Sequence, residues 1–546
     1  MTVKGQILKS ASLIALVTVI SRIFGYLRDQ RVALLLGTSP AADAFILAFR
    51  IPNMIRRMTG EGALGASFIP VFTGYLRGKP RTEAWEFAQR IFWDMAVILA
   101  VVAVFGCVFS KQVIGIFTLL GASSLHWDLA IFLNRIIFPC VFFMGLAALA
   151  AAILNSFHVF GLPASTSVLF NLVFIVFSLG IVYKPILRVA PEAYRTPAVA
   201  LAIGILLGSA LQLAMQIPAL RKRGMRFRPN VSFQDPGVRK VGKLMAPVFF
   251  GMGVFQVNFF VDTIFATSRR MPTGSVTSLY IADRVMELVL GAYAIALSTA
   301  IFPTMAHQVA DGKFDEMKRT FEFAVRVVSF ITIPAAVGLI LLRVPITKVL
   351  FQHGKFMAES TALTAHALLY YSLGLPAFAA IKLITPMYYS THDTMTPTRI
   401  GVYSLGLHIA LNIVFLFAFS RYLWNASPAL ASSLAAYFNF ALLFYIFRGR
   451  YGALGARGIV ASIAKMGICA AVMAGACFAA LRFSSFANIE PVLSQAGLLA
   501  AMIFGSVAIY FGLAWMLRCE ELPELFLMLR RAETGAVSAG GIDVGS

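Results

Sequence analysis

The sequence runs to 546 residues, is 59% hydrophobic and only 13% charged, a balance outside that of soluble domains, so the chain reads as a polytopic membrane protein. Lys+Arg exceed Asp+Glu by 46 − 24 = 22, which in a soluble protein would suggest nucleic-acid binding. In a membrane protein, basic loops on one side account for most of such an excess, and no nucleic-acid partner is expected.

Apolar runs of about 20 residues recur along the chain, long enough for helices to cross the hydrocarbon and too long for barrel strands of about ten. The expected fold is all-α, a polytopic membrane protein of about 14 transmembrane helices, centred near residues 22, 55, 100, 140, 175, 207, 254, 287, 333, 372, 407, 436, 470 and 506. Lys4 and Lys9 precede the apolar run Ala11 to Ile20, but no small-x-small cleavage site follows, so this is read as an uncleaved first span.

Ser21 to Phe72 stands out because it carries Arg22, Arg28, Asp29, Arg31, Asp43, Arg50, Arg56, Arg57 and Glu61 within membrane-like sequence. Charges at that depth should line water, pair, or meet a charged ligand. Six arginines against three acids cannot all pair within the stretch, which points to an anionic ligand. Gly25, Gly60, Gly62 and Gly65 suggest interrupted helices lining a cavity. Five cysteines (Cys107, Cys140, Cys469, Cys477, Cys519) lie in or beside apolar runs without CxxC spacing and are read as packing residues, with no metal site.

The most basic connection is Arg221 to Lys243, and Arg77, Lys79 and Arg81 form a second basic cluster; both are expected to be cytoplasmic, together with both termini. An internal repeat is visible: Asp29 recurs as Asp262 at an offset of 233, and Arg50, Ser156 and Pro163 recur as Arg284, Ser390 and Pro397 at 234. Six spans per copy make it a parallel repeat. The expected organisation is an N-terminal lobe over 1–230 and a C-terminal lobe over 231–450. Two extra helices follow over 451–520, then a cytoplasmic tail over 521–546.

The arginines Arg22, Arg28, Arg56 and Arg284 have the charge and paired donors that grip a phosphate or diphosphate. The competing reading is internal pairing with Asp29, Asp43, Glu61, Asp283 and Glu287. Asp262, alone in VFQVNFFVDTIFA, is a candidate for binding a coupling proton or sodium ion, or else for a hydrogen bond to Thr263 or Asn258. His392 and Asp393 in STHDTMTP are read as a helix end before a Thr-Pro start rather than a metal site. No nucleophile elbow, HExxH, P-loop or dinucleotide fingerprint occurs, so no enzyme chemistry is expected.

The segments SRIFGYLRD (21–29), ADAF (42–45), FRIPNMIRR (49–57), EGALGASFIPVF (61–72), LNSFHVFGLPA (154–164), ADRVMEL (282–288) and YYSTHDTMTPT (388–398) resemble the MurJ/MviN lipid II flippase family. This family lies in the multidrug/oligosaccharidyl-lipid/polysaccharide exporter superfamily. The resemblance implies a multi-pass protein of the bacterial inner membrane that moves lipid II, an undecaprenyl-diphosphate-linked peptidoglycan precursor, outward by alternating access. It places Arg22, Arg28, Arg56 and Arg284 in a substrate cavity and adds Arg50 to the substrate-binding set; some members have lysine there, and arginine makes a bidentate phosphate contact available. Its cavity acids correspond to Asp29, Asp43, Glu61, Asp283 and Glu287, and Asp262 matches a sodium ligand described for some members. The last two helices would form a groove for the lipid tail. Implied partners are lipid II, membrane lipids and cell-wall synthesis proteins. No cofactor is implied, and coupling to Na+, H+ or the membrane potential stays open. The alternative is a cation-coupled exporter of another lipid-linked oligosaccharide or a drug in the same superfamily, although an arginine-rich cavity disfavours cationic drugs.

Overall fold

The computed structural model describes residues 3–59, 64–121, 126–453, 455–484 and 491–525, and every regular element among them is helical. Local chemistry sets several helix starts. After α1 (Val3–Leu36), the Ser39 side chain accepts the Ala42 amide and Pro40 opens α2 (Pro40–Met58). There follow α3 (Leu64–Gly78), α4 (Arg81–Val108), α5 (Ser110–Gly115), α6 (Trp127–Ile137), α7 (Cys140–Ser156), α8 (Gly161–Phe177), α9 (Gly180–Val189), α10 (Pro197–Ala214) and α11 (Ile217–Lys222). Asp235 then repeats the capping device: its carboxylate accepts the Gly237 and Val238 amides, and Pro236 opens α12 (Pro236–Ala266). The chain continues as α13 (Ser275–Ala310), α14 (Phe314–Phe351), α15 (Ala358–Ser390), α16 (Met395–Ala418), α17 (Ser420–Leu423), α18 (Ser427–Tyr451), α19 (Ala456–Phe483) and α20 (Val492–Met516).

Among the described residues, nine helices are long and apolar enough to cross a membrane, counting α6 with α7 and α10 with α11 as single spans; α8 with α9 is a further candidate bent by 65°. Each expected span centre falls within a helix. The charged candidates ride on α1, α2, α12 and α13. One expectation is corrected: α1 runs on through Gly25 as a single helix, because the backbone ladder there needs no break. Gly60 and Gly62 lie outside the described residues. Asp393 ends the loop before α16 as expected, accepting both the amide and the hydroxyl of Thr396.

The chain forms two compact units. The first comprises Met1–Ile281, Leu350–Leu363 and Asn412–Pro428. In it α8 packs on α1 and α10, α7 on α4 and α10, and α3 on α12. Its core is rich in rings: Tyr75 stacks on Phe87 at 4.3 Å, and Trp85 on Phe157 at 5.2 Å. The linker after α11 is fastened to α4 by Arg90, whose Nη1 donates to Asp235 at 2.6 Å, and by Asp94, which accepts the Ser232 amide at 2.8 Å.

The second unit comprises Ala282–Val349, Thr364–Leu411 and Ala429–Ser546. Its α19 and α20 pack together and bury Met466, Cys469 and Tyr510 around Phe330 of α14. Glu322 of α14 lies over the first turn of α19, where a Cβ on Gly455 (φ +64°) or Gly458 would collide with its carboxylate. After α20, Arg326 of α14 holds Glu520 and Glu521, each at 2.6 Å.

Burial pushes the Asp235 carboxyl up, but the Arg90 guanidinium and the Val238 and Gly237 amides outweigh burial and hold it below the usual carboxylate range. A depressed folded pKa stabilises fully above the unfolded value of about 4 and is lost as pH falls through the lower folded value. Asp235→Ala is therefore expected to lower stability by about 1–2 kcal/mol at neutral pH, a difference that shrinks only below about pH 4. Thermal unfolding of the purified chain and this variant across pH checks it.

Candidate functional site

Arg28, on α1, is the centre of the charged stretch. Its Nε and Nη2 donate to Asp29 Oδ1 at 3.0 and 2.8 Å, and its Nη1 donates to Asn171 Oδ1 on α8 at 3.3 Å. Asn171 in turn donates to the Ser21 carbonyl, and the Tyr280 hydroxyl of α13 donates to Asp29 at 3.3 Å. Asp29 is buried, whereas Arg28 is partly exposed. Arg28, Asp29 and Tyr280 line a pocket whose other walls include Val32, Phe45, Phe49, Phe170 and Phe174. The arrangement can present one guanidinium, already charge-balanced, to a ligand entering an otherwise apolar space.

The other candidates fall in separate places. Arg50 donates to Thr263 Oγ1 at 2.8 Å and to the Phe259 carbonyl at 3.1 Å, and its guanidinium lies 5.8 Å from the Phe259 ring centre, so it joins α2 to α12. Thr263 also donates to that carbonyl, while its neighbour Asp262 is almost fully buried. Arg56 Nε donates to Asn53 one turn back. Arg22 is exposed. In the second unit, Arg284 is half-buried and pairs with Glu287 along its own helix, beside buried Asp283. Glu61 lies outside the described residues.

Asp43 is placed by a different logic. Its Oδ2 accepts the Gly274 amide, and its Oδ1 accepts the amide and hydroxyl of Thr277, so it caps the start of α13. Gly274 (φ +85°) is needed there, because a Cβ would collide with the Thr38 carbonyl. Arg31 has a related role: it donates to the hydroxyl and carbonyl of Ser178, the residue that closes α8 before the bend into α9. Sequence reasoning missed Asn171 and Tyr280, which carry no charge. The available signal was a lone amide in the apolar run SVLFNLVFIVF.

A family model described as "Lipid II flippase MurJ" matches residues 32–494. A probable lipid II flippase MurJ of Vibrio cholerae is 35% identical over 488 residues, covering 87% of this chain and 89% of the relative. A solved lipid II flippase MurJ in an inward closed conformation superposes with a TM-score of 0.73 at 24% identity, over 91% of this chain and 98% of that one. An inward-facing multidrug resistance MATE transporter matches with a TM-score of 0.63 at 15% identity, over 79% of this chain and 95% of the other. At these identities the two structures speak for the fold alone.

Replacing Asp43 with Asn puts an amide donor against the backbone donors of α13. Because the site is buried, Asp43→Asn is expected to lower stability by about 1–3 kcal/mol, measured as a lower midpoint of thermal unfolding in detergent.

Proposed function

The chain belongs to the lipid II flippase MurJ family, and on that premise we propose that it moves an undecaprenyl-diphosphate-linked peptidoglycan precursor from the cytoplasmic to the outer leaflet of a bacterial inner membrane by alternating access. The observation that carries the reading is the Arg28–Asp29 pair beneath an apolar-walled pocket. Asp29 pairs with the guanidinium at 2.8 Å. A diphosphate offers more oxygens to the same fork and exchanges with Asp29, which keeps the Tyr280 hydroxyl as a partner. Arg284, paired with Glu287, is suited to the same exchange within its own unit. Arg22, Arg50 and Arg56 complete the proposed set of head-group cations, Arg50 also joining α2 to α12 through Thr263 and the Phe259 carbonyl.

Exchange of ion partners also supplies what a conformational cycle requires, since a ligand shifts an equilibrium only by the difference in its contacts with the two states. Asp262, buried inside α12, is the proposed point of coupling to Na+ or H+, with the membrane potential as the alternative driving force. The basic Arg221 to Lys243 connection and both termini are assigned to the cytoplasmic side. A drug exporter on the same fold would favour an acidic cavity for its cations. An excess of arginine favours the anionic lipid.

Growth rescue in a host depleted of its own lipid II flippase, scored together with membrane abundance, tests the reading. Arg28→Ala and Arg284→Ala are expected to abolish rescue at normal abundance, and Arg28→Lys to impair it because the paired donors are lost. Normal growth with both alanine variants would eliminate the arginine-bound diphosphate. For Asp262→Asn, loss of dependence on one ion gradient with folding retained is expected; an unchanged ion response returns Asp262 to a structural role.

A further inference from the structure

The linker between α11 and α12 is held at a definite depth in the first unit. Arg90 grips Asp235, Asp94 accepts the Ser232 amide, and Phe227 meets Phe92 edge-on with ring centres 5.3 Å apart. Asp94 is 2% exposed, yet on the same helix the apolar side chains of Val97, Ile98 and Val101 are 40%, 46% and 64% exposed, as lipid-facing residues of a span should be. At about 1.5 Å of rise per residue, Ser232 is therefore bound within roughly one helical turn of the lipid-facing surface. On either side of it Val231 and Phe233 are about half exposed, and Leu244 on α12 is 44% exposed. The same segment carries Arg226, Arg228, Arg239, Lys240 and Lys243, all exposed, while its acid Asp235 is paired with Arg90.

We propose that residues 226–244 form a docking surface for the anionic phospholipid headgroups of the adjacent leaflet, with Val231 and Phe233 entering the boundary between headgroups and acyl chains. Basic charge alone would fit an acidic protein segment equally well. An exposed phenylalanine fixed beside the lipid-facing side of α4 fits a leaflet, because an amphipathic surface gains from both its charge and its apolar tips there. The Arg90 and Asp94 contacts make the surface a fixed foot rather than a free loop. This inference does not depend on the transported substrate.

The full chain is placed in nanodiscs of phosphatidylcholine alone or with added phosphatidylglycerol, and chymotrypsin cleavage after Phe233 is followed by the mass of the fragments. Cleavage is expected to be about tenfold slower with phosphatidylglycerol, and added salt should erase the difference. The neutralised variant Arg239→Gln, Lys240→Gln, Lys243→Gln should lose the protection, whereas the charge-preserving variant Arg239→Lys, Lys240→Arg, Lys243→Arg should keep it. Equal cleavage of the unaltered chain in both discs overturns the proposal and leaves an acidic protein as the better fit. Protection that persists in the neutralised variant, or is lost in the charge-preserving one, overturns it as well.

Discussion

An arginine inside hydrocarbon without partners costs roughly 2.5 to 3.5 kcal/mol even on insertion scales, and the first unit is arranged so that Arg28 does not meet that condition. Its guanidinium joins a carboxylate on its own helix to an amide on α8, and the hydroxyl of Tyr280 on α13 completes the carboxylate. Three helices are thereby registered at one point. The return bond from Asn171 to the Ser21 carbonyl ties α8 to α1 a second time. The contact that keeps the charge tolerable also sets the packing around the pocket, so local chemistry and helix arrangement are one problem here.

A second constraint is that helix ends near the membrane cannot leave their amides and carbonyls bare. The chain meets it with side chains from other helices. Asp43 supplies an acceptor to the start of α13, Glu322 lies over the start of α19, and Arg31 supplies donors to the end of α8. Each charge has the sign that the helix dipole favours at its end. Some of the charge density that marks the opening stretch is thus accounted for by helix termination, and a smaller set of arginines is left to explain by a ligand.

What was legible in the sequence was whatever is local or periodic. Composition and apolar run length gave the helical class and the span positions. The bonds from Asp393 to Thr396 span three residues, so that part of its role could be read from the string, whereas its ion pair with Arg450, 57 residues on, could not. Partners distant in sequence could not. Arg50 is 213 residues from Thr263 and Arg28 is 143 from Asn171, and nothing in the spacing of charges selects an uncharged hydroxyl or amide as the answer. Gly25 misled for a related reason: glycine permits a break in a helix at a cost of about 1 kcal/mol but does not impose one.

The double grip of Arg326 on Glu520 and Glu521 fixes where this polypeptide can be shortened. Glu521 is 2% exposed and Leu522 beside it belongs to the core around Phe330, so the short segment after α20 is a working part of the second unit. A stop codon placed before residue 520 would strip a largely buried guanidinium of both its counter-ions and open that core, whereas an epitope or reporter joined after residue 525 begins beyond every one of these contacts.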